Sequence, residues 1–266
     1  MSSEANGLES SGKLLALAEA ADLPPLERLR FAALFADGLD EFFMLGDAVR
    51  RPRSDVRLHH LVRRYARVLV DDIVPTLAAH GINLLPYAEL AEDERRMLSE
   101  TFVAQIRPIL TPLAVDPTHP FPFVSALSLN LAVVVGHQAS ERERFARVKV
   151  PPVLPRYVRA GTARFVLLED LIRAHLPGIF SGLEVREAHA FRVTRAVEKG
   201  ADPGFMRRNF GSVTRLEVES GMSDRVVELL LRALGSGTHA LYRLSCALDL
   251  GTLWSFVDAR EASGAA

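Results

Sequence analysis

Two short stretches hold most of the residues that could do chemistry. In LFADGLDEFFM, residues 34–44, the carboxylates Asp40 and Glu41 sit between Leu39 and the aromatic pair Phe42-Phe43. Adjacent helical residues do not face one another, so neither this pair nor Asp71-Asp72 is spaced for general acid and base work. Both read more simply as polar helix edges. In RRPRSDVRLHHLVRRYAR, residues 50–67, seven Arg and two His accompany a single Asp. Guanidinium forks match phosphate oxygens, which makes Arg50, Arg51, Arg53, Arg57, Arg63, Arg64 and Arg67 candidate anion-binding residues. The plainer reading is a solvated helix face. His59 and His60 point about 100° apart on a helix and cannot chelate one metal from a single face. None of the eight histidines falls into a zinc-type spacing. No phosphate loop, strand-anchored G-x-G-x-x-G or G-x-S-x-G elbow occurs.

Composition narrows the classes. A chain of 266 residues with 48% hydrophobic and 24% charged residues can build a sizeable core. A net charge of −1 gives no overall field for nucleic acid, so any anion binding must be local. Lysine occurs only at Lys13, Lys149 and Lys199, and the Arg excess fits GC-rich coding as well as phosphate binding. One cysteine, Cys246, excludes an intrachain disulfide and fits a reducing cytoplasm. The polar start is no signal peptide, and no apolar run is long enough to span a bilayer. Residues 1–12 and 259–266 are expected to be disordered.

The elements that must position these residues fall into two groups. Residues 13–108 read as helices. Pro24-Pro25 open one, with Leu26, Leu29, Ala33 and Leu34 at steps of three and four. Leu58, Leu61, Val62, Tyr65, Val68, Leu69 and Ile73 form the stripe of another. Pro75 should kink or reset that helix, and Gly81 should end it. A third helix is read over LAEDERRMLSETFVAQIRPIL, residues 90–110, with acids near its start and Arg107 near its end. From Pro108 to Val124 there are five prolines in seventeen residues, a boundary or rigid connection. Beyond it, LSLNLAVVV, RFARVKV, RFVLL, EAHAFRVT, TRLEVE and ALYRL read as strands. LEDLIRAHL and SDRVVELLLRAL read as helices, the second capped by Ser223. The fold class expected is α+β multidomain: an N-terminal helical bundle, then an α+β head over 109–258 with a mainly antiparallel sheet.

PPLERLRFAALFADGLDEFFM, LTPLAVDPTHPFPFVSALSLNLAVVV, RFARVKVPPVLPRYV, HAFRVTR and TRLEVESGMSDRVVELLLRAL, in that order, closely resemble bacterial polyphosphate kinase over residues 13–258. The resemblance implies reversible transfer of the terminal phosphate of ATP to polyphosphate. It places the phosphorylated histidine, Mg2+ and most ATP contacts in C-terminal domains, so no cofactor is expected on this chain. The chain is expected to be a truncated or degenerate form, inactive alone. Two alternatives stand beside that. One is a regulatory module that associates with polyphosphate or a full-length polyphosphate kinase. The other is half of a split enzyme active with a separately encoded catalytic half. The resemblance also implies homo-oligomers and a cytoplasmic or membrane-peripheral location. Gly38 stands where the family has a nucleotide-contacting Asn, and Ala126 where Asn is common. The seven arginines of 50–67 become candidates for binding polyphosphate.

Overall fold

The computed structural model describes residues 3–45, 52–115, 121–137, 142–197 and 211–253. Helices fill the first part of the chain. Helix α1 (Ser3–Glu19) packs along α2 (Pro25–Met44). Fully buried Leu15, Ala18, Ala32 and Ala33 let the two backbones approach closely. Helix α1 already begins at Ser3, within the segment expected to be disordered; Glu, Ala and Leu favour a helix there. Helix α2 starts on Pro24-Pro25, as expected, and runs unbroken through Gly38.

Helix α3 (Pro52–Arg67) buries Leu58, Val62 and Tyr65, then widens into a π-helical stretch, Val68–Ile73, before α4 (Val74–Ala79). Pro75 is the cause. It has no N–H, and its ring would meet the carbonyl of residue 71 in a regular helix. The N–H of Val74 instead reaches Leu69 O. The same device recurs at the end of α5 (Glu92–Thr101), where the π stretch Phe102–Ile106 precedes Pro108. Gly81, at φ 78°, ends the α3–α4 run in the left-handed conformation expected of it.

The second part is organised by sheets. Strands β2 (Pro112–Val115), β3 (Leu129–Gly136), β4 (Glu143–Lys149), β7 (Glu184–Arg195), β8 (Val213–Glu219) and β9 (Leu241–Leu244) form a six-stranded sheet in the order β2-β4-β3-β7-β8-β9. All neighbours are antiparallel except β8 and β9. The Pro-rich segment thus supplies an edge strand, with Pro112 at its first residue, where a missing N–H is harmless. A smaller sheet joins β1 (Asn83–Leu84), β6 (Arg164–Leu167) and β5 (Tyr157–Gly161). Strand β1 comes from the helical part and pairs parallel with β6, so the two parts of the chain interlock.

Strand β3 is buried throughout because both faces are covered. Leu129, Leu131, Val133 and Val135 face a core shared with α2, α3 and α6 (Leu168–Ile179). Ala132 and Val134 face a second core, completed by α7 (Asp224–Leu234). Ser223 caps α7, with its Oγ accepting from Val226 N, as its sequence position implied. Among the described residues no helix is long and apolar enough to cross a membrane.

Candidate functional site

Where α2 meets the six-stranded sheet, a cleft of about 610 Å³ opens. Its walls include Asp37 and Asp40 of α2, the segment Ser125–Leu129, Lys149 at the end of β4, Arg192 of β7 and the turn around Asp249. Leu127 and Asp249 both adopt φ values above +50°. Side-chain-bearing residues seldom adopt that conformation except where their surroundings enforce it. Lys149 has no carboxylate partner among the described residues. Its Nζ lies 3.5 Å from Ser125 Oγ, which leaves an ammonium facing the cleft.

The floor is ionic, its carboxylates and guanidiniums paired with one another, although Arg192 Nε is buried without an acceptor. Asp40 receives a two-pronged contact from Arg192, one prong at 2.7 Å, and a further bond from Arg215. Arg192 also reaches Glu217 at 3.1 Å and Asp249 at 3.0 Å. Arg215 reaches Glu217 at 3.2 Å and lies over the Phe43 ring, 4.6 Å from its centre. Burial would push the Asp40 carboxyl up, but the two guanidiniums outweigh it and hold it below the usual carboxylate range. Asp40 is therefore the pin that fixes α2 to β7 and β8. The polar helix edge read from the spacing therefore holds for exposed Glu41 but not for Asp40.

The other acidic pair divides the same way. Asp72 binds buried Arg28, whose Nε donates to Ala18 O at 2.8 Å, while Asp71 is exposed. Gly38 is half-buried on the side of α2 that faces α1, where an added Cβ would meet only Ser11 Oγ, at 4.0 Å, and it is not among the residues that line this cleft. Ala126 is a buried part of the cleft wall.

On the basic helix, Arg57, Arg63 and Arg67 are exposed, whereas Arg64 is tied to Glu19, with Nε 2.5 Å from Oε1. Arg64 is thus a helix–helix contact. Arg50 and Arg51 lie outside the described residues, as does the side chain of Arg53. His59 stacks on Tyr242 with ring centres 4.1 Å apart and contacts Leu241 O, so it docks α3 on β9.

Lys149, Arg192 and Asp249 were not singled out in the sequence. The available signal was the RFARVKV alternation, which puts Arg147 and Lys149 in phase with Phe145. Among the described residues no three His, Cys, Asp or Glu side chains gather to hold a metal ion. Asp40 and Asp249 are engaged by Arg192. Their oxygens are thus already held by a guanidinium, which does not suit a magnesium ion, and of the cations on the cleft wall Lys149 is the one with no carboxylate partner among the described residues.

Comparison with known proteins bears on the same regions. Residues 93–256 match the polyphosphate kinase middle domain, and residues 1–52 the polyphosphate kinase N-terminal domain. A polyphosphate kinase of Streptomyces coelicolor is 41% identical over 94% of this chain and 38% of its own length. One from Mycolicibacterium paratuberculosis is 40% identical over 96% of this chain and 41% of its own. The chain therefore spans about two fifths of the length of these relatives. The crystal structure of polyphosphate kinase from Porphyromonas gingivalis superposes with a TM-score of 0.83 at 24% identity, over 95% of this chain and 40% of that one, a likeness of fold. With two family regions matched in order across most of its length, the chain belongs to the polyphosphate kinase family.

Proposed function

We propose that residues 1–266 act as the N-terminal and head part of a polyphosphate kinase, an enzyme that reversibly transfers the terminal phosphate of ATP to polyphosphate. In this reading the helical part 13–108 and the head 109–258 bind and position the phosphate chain. The remaining three fifths of the relatives carries the chemistry. The carrying observation is the match to the N-terminal and middle domains, joined to a cleft in which Asp40 and Asp249 are held by Arg192 and the Lys149 ammonium has no carboxylate partner among the described residues. Phosphoryl transfer is mostly positioning and charge neutralisation, and this chain contributes cations.

A second reading is a module that binds polyphosphate or a full-length polyphosphate kinase. The exposed Arg57, Arg63 and Arg67 on one stretch of α3 favour it, because none has a carboxylate partner among the described residues. Mixing the purified chain with the separately produced C-terminal three fifths of a relative tests the first reading. Transfer by the mixture, with none by either part, supports it. Polyphosphate binding with no gain on mixing favours the module.

A further inference from the structure

Six arginines are buried in the described structure: Arg28, Arg147, Arg156, Arg192, Arg195 and Arg215. Four have carboxylate partners. Arg28 pairs with Asp72, Arg156 with Glu169, and Arg192 and Arg215 with the Asp40 cluster. Arg147 and Arg195 have none among the described residues, yet each is only 8% exposed. A buried charge without a counter-ion is costly, so two on one face of one sheet need an explanation.

Their geometry is ordered along one segment. Arg147 Nη1 donates to Phe123 O at 2.9 Å, and Arg195 Nε donates to Val124 O at 3.0 Å. Lys149 Nζ reaches Ser125 Oγ, one residue further on. Three cations, from β4 and β7, thus line up under Phe123, Val124 and Ser125. The Phe123 ring, 45% exposed, covers Arg195 at 4.8 Å from its guanidinium carbon, and the row reaches the 610 Å³ cleft at its Lys149 and Ser125 end. Arg147 Nε is buried with no acceptor. Burial pushes the pKa of both arginines below the usual value, and no neighbouring carboxylate offsets it.

We infer that Arg147, Lys149 and Arg195 form an oxyanion site under the segment Phe121–Ser128, which takes a phosphate group or a short phosphate chain. Three positive charges without a carboxylate match a multiply charged phosphate better than a single carboxylate. The site is distinct from the arginines of α3. That helix docks on β9, four strand positions from β4 in the sheet, or about 19 Å. It would stand whether or not the chain transfers phosphate by itself.

The test uses the full 266-residue chain with tripolyphosphate and, separately, inorganic phosphate, read by calorimetry and by hydrogen exchange of residues 121–128. Tripolyphosphate should bind, protect that segment, and raise Tm by about 5 °C at 100-fold excess over Kd. Lys149→Met, at a half-buried site whose loss should not unfold the sheet, should weaken binding about tenfold and abolish the protection. Arg147→Gln should do the same, with Tm as a check on its folding. Arg57→Ala/Arg63→Ala should leave the protection intact. Inorganic phosphate protecting the segment as well as tripolyphosphate would assign a single phosphate as the ligand, and tripolyphosphate alone a chain. Protection that survives Lys149→Met, or an oligoglutamate that protects where neither phosphate does, would overturn the site.

Discussion

Replacing Asp40 with Asn removes the acceptor on which Arg192 and Arg215 converge. The cluster opposes two guanidiniums to three carboxylates, those of Asp40, Glu217 and Asp249. Loss of Asp40's charge therefore leaves the arginines still matched, and the cost is that of weakened charge-assisted hydrogen bonds. The Asn oxygen keeps part of them, so about 2 kcal/mol is expected. Arg215→Met is different. It leaves one guanidinium against three carboxylates in a site where Arg215 is 2% exposed, and about 3–5 kcal/mol is expected. For a chain of this size those losses lower Tm by about 4–8 °C and about 6–20 °C. Urea and thermal unfolding at pH 7.5, followed by circular dichroism, give the comparison. The pH dependence adds a signature. Asp40's folded pKa lies below its ordinary 3.8, so its contribution is complete above that value and is lost as pH falls beneath it. The gap between wild type and Asp40→Asn should be constant from pH 8 to about 5 and close below about 4. An Asp40→Asn variant less stable than Arg215→Met, or a gap that does not close in acid, would refute the charge accounting.

Asp170 should behave with the opposite sign. It borders an apolar cavity of about 360 Å³, and burial, only partly offset by Arg173, pushes its carboxyl up to about 6. Stability from this group is present below 3.8 and lost as pH rises through about 6. Asp170→Asn should therefore be about 1–2 kcal/mol more stable than wild type at pH 8, measured by urea titration, with no difference at pH 4. Gly38→Ala fills open space in mid-helix and should stabilise by up to about 1 kcal/mol. Ser223→Ala removes both the cap of α7 and a 2.8 Å bond to Glu187, and should cost about 1–2 kcal/mol in thermal unfolding. Polyphosphate bound at the exposed α3 arginines should weaken steeply between low and physiological salt. Arg57→Ala/Arg63→Ala should flatten that slope, whereas Arg64→Ala, already bound to Glu19, should leave it nearly unchanged.

Local pattern carried much of the fold. The β-branched and alternating runs gave β3, β4, β7 and β8, and Pro24-Pro25, Gly81 and Ser223 marked helix ends where the structure has them. What stayed hidden depends on distant partners. Asp40 meets Arg192 across 152 residues, and nothing near either residue announces the other. Strand β1 is two residues long and exists only because β6 pairs with it. The π stretches answer Pro75 and Pro108; a kink or reset was expected at Pro75 and the helix widens there instead, while Pro108 was read only as the start of a Pro-rich boundary. The cation row was half legible, since Arg147 and Lys149 share phase with buried Phe145, but Arg195 and the segment above them join only in the fold.

The central claim is that this chain binds and positions phosphate while the chemistry resides in the rest of the enzyme. The most direct measurement is phosphate transfer between ATP and polyphosphate, in both directions and with magnesium, by the purified 266-residue chain. The account predicts no transfer above background alongside measurable binding of polyphosphate. Transfer that survives further purification, and falls with substitutions in this chain, would contradict it.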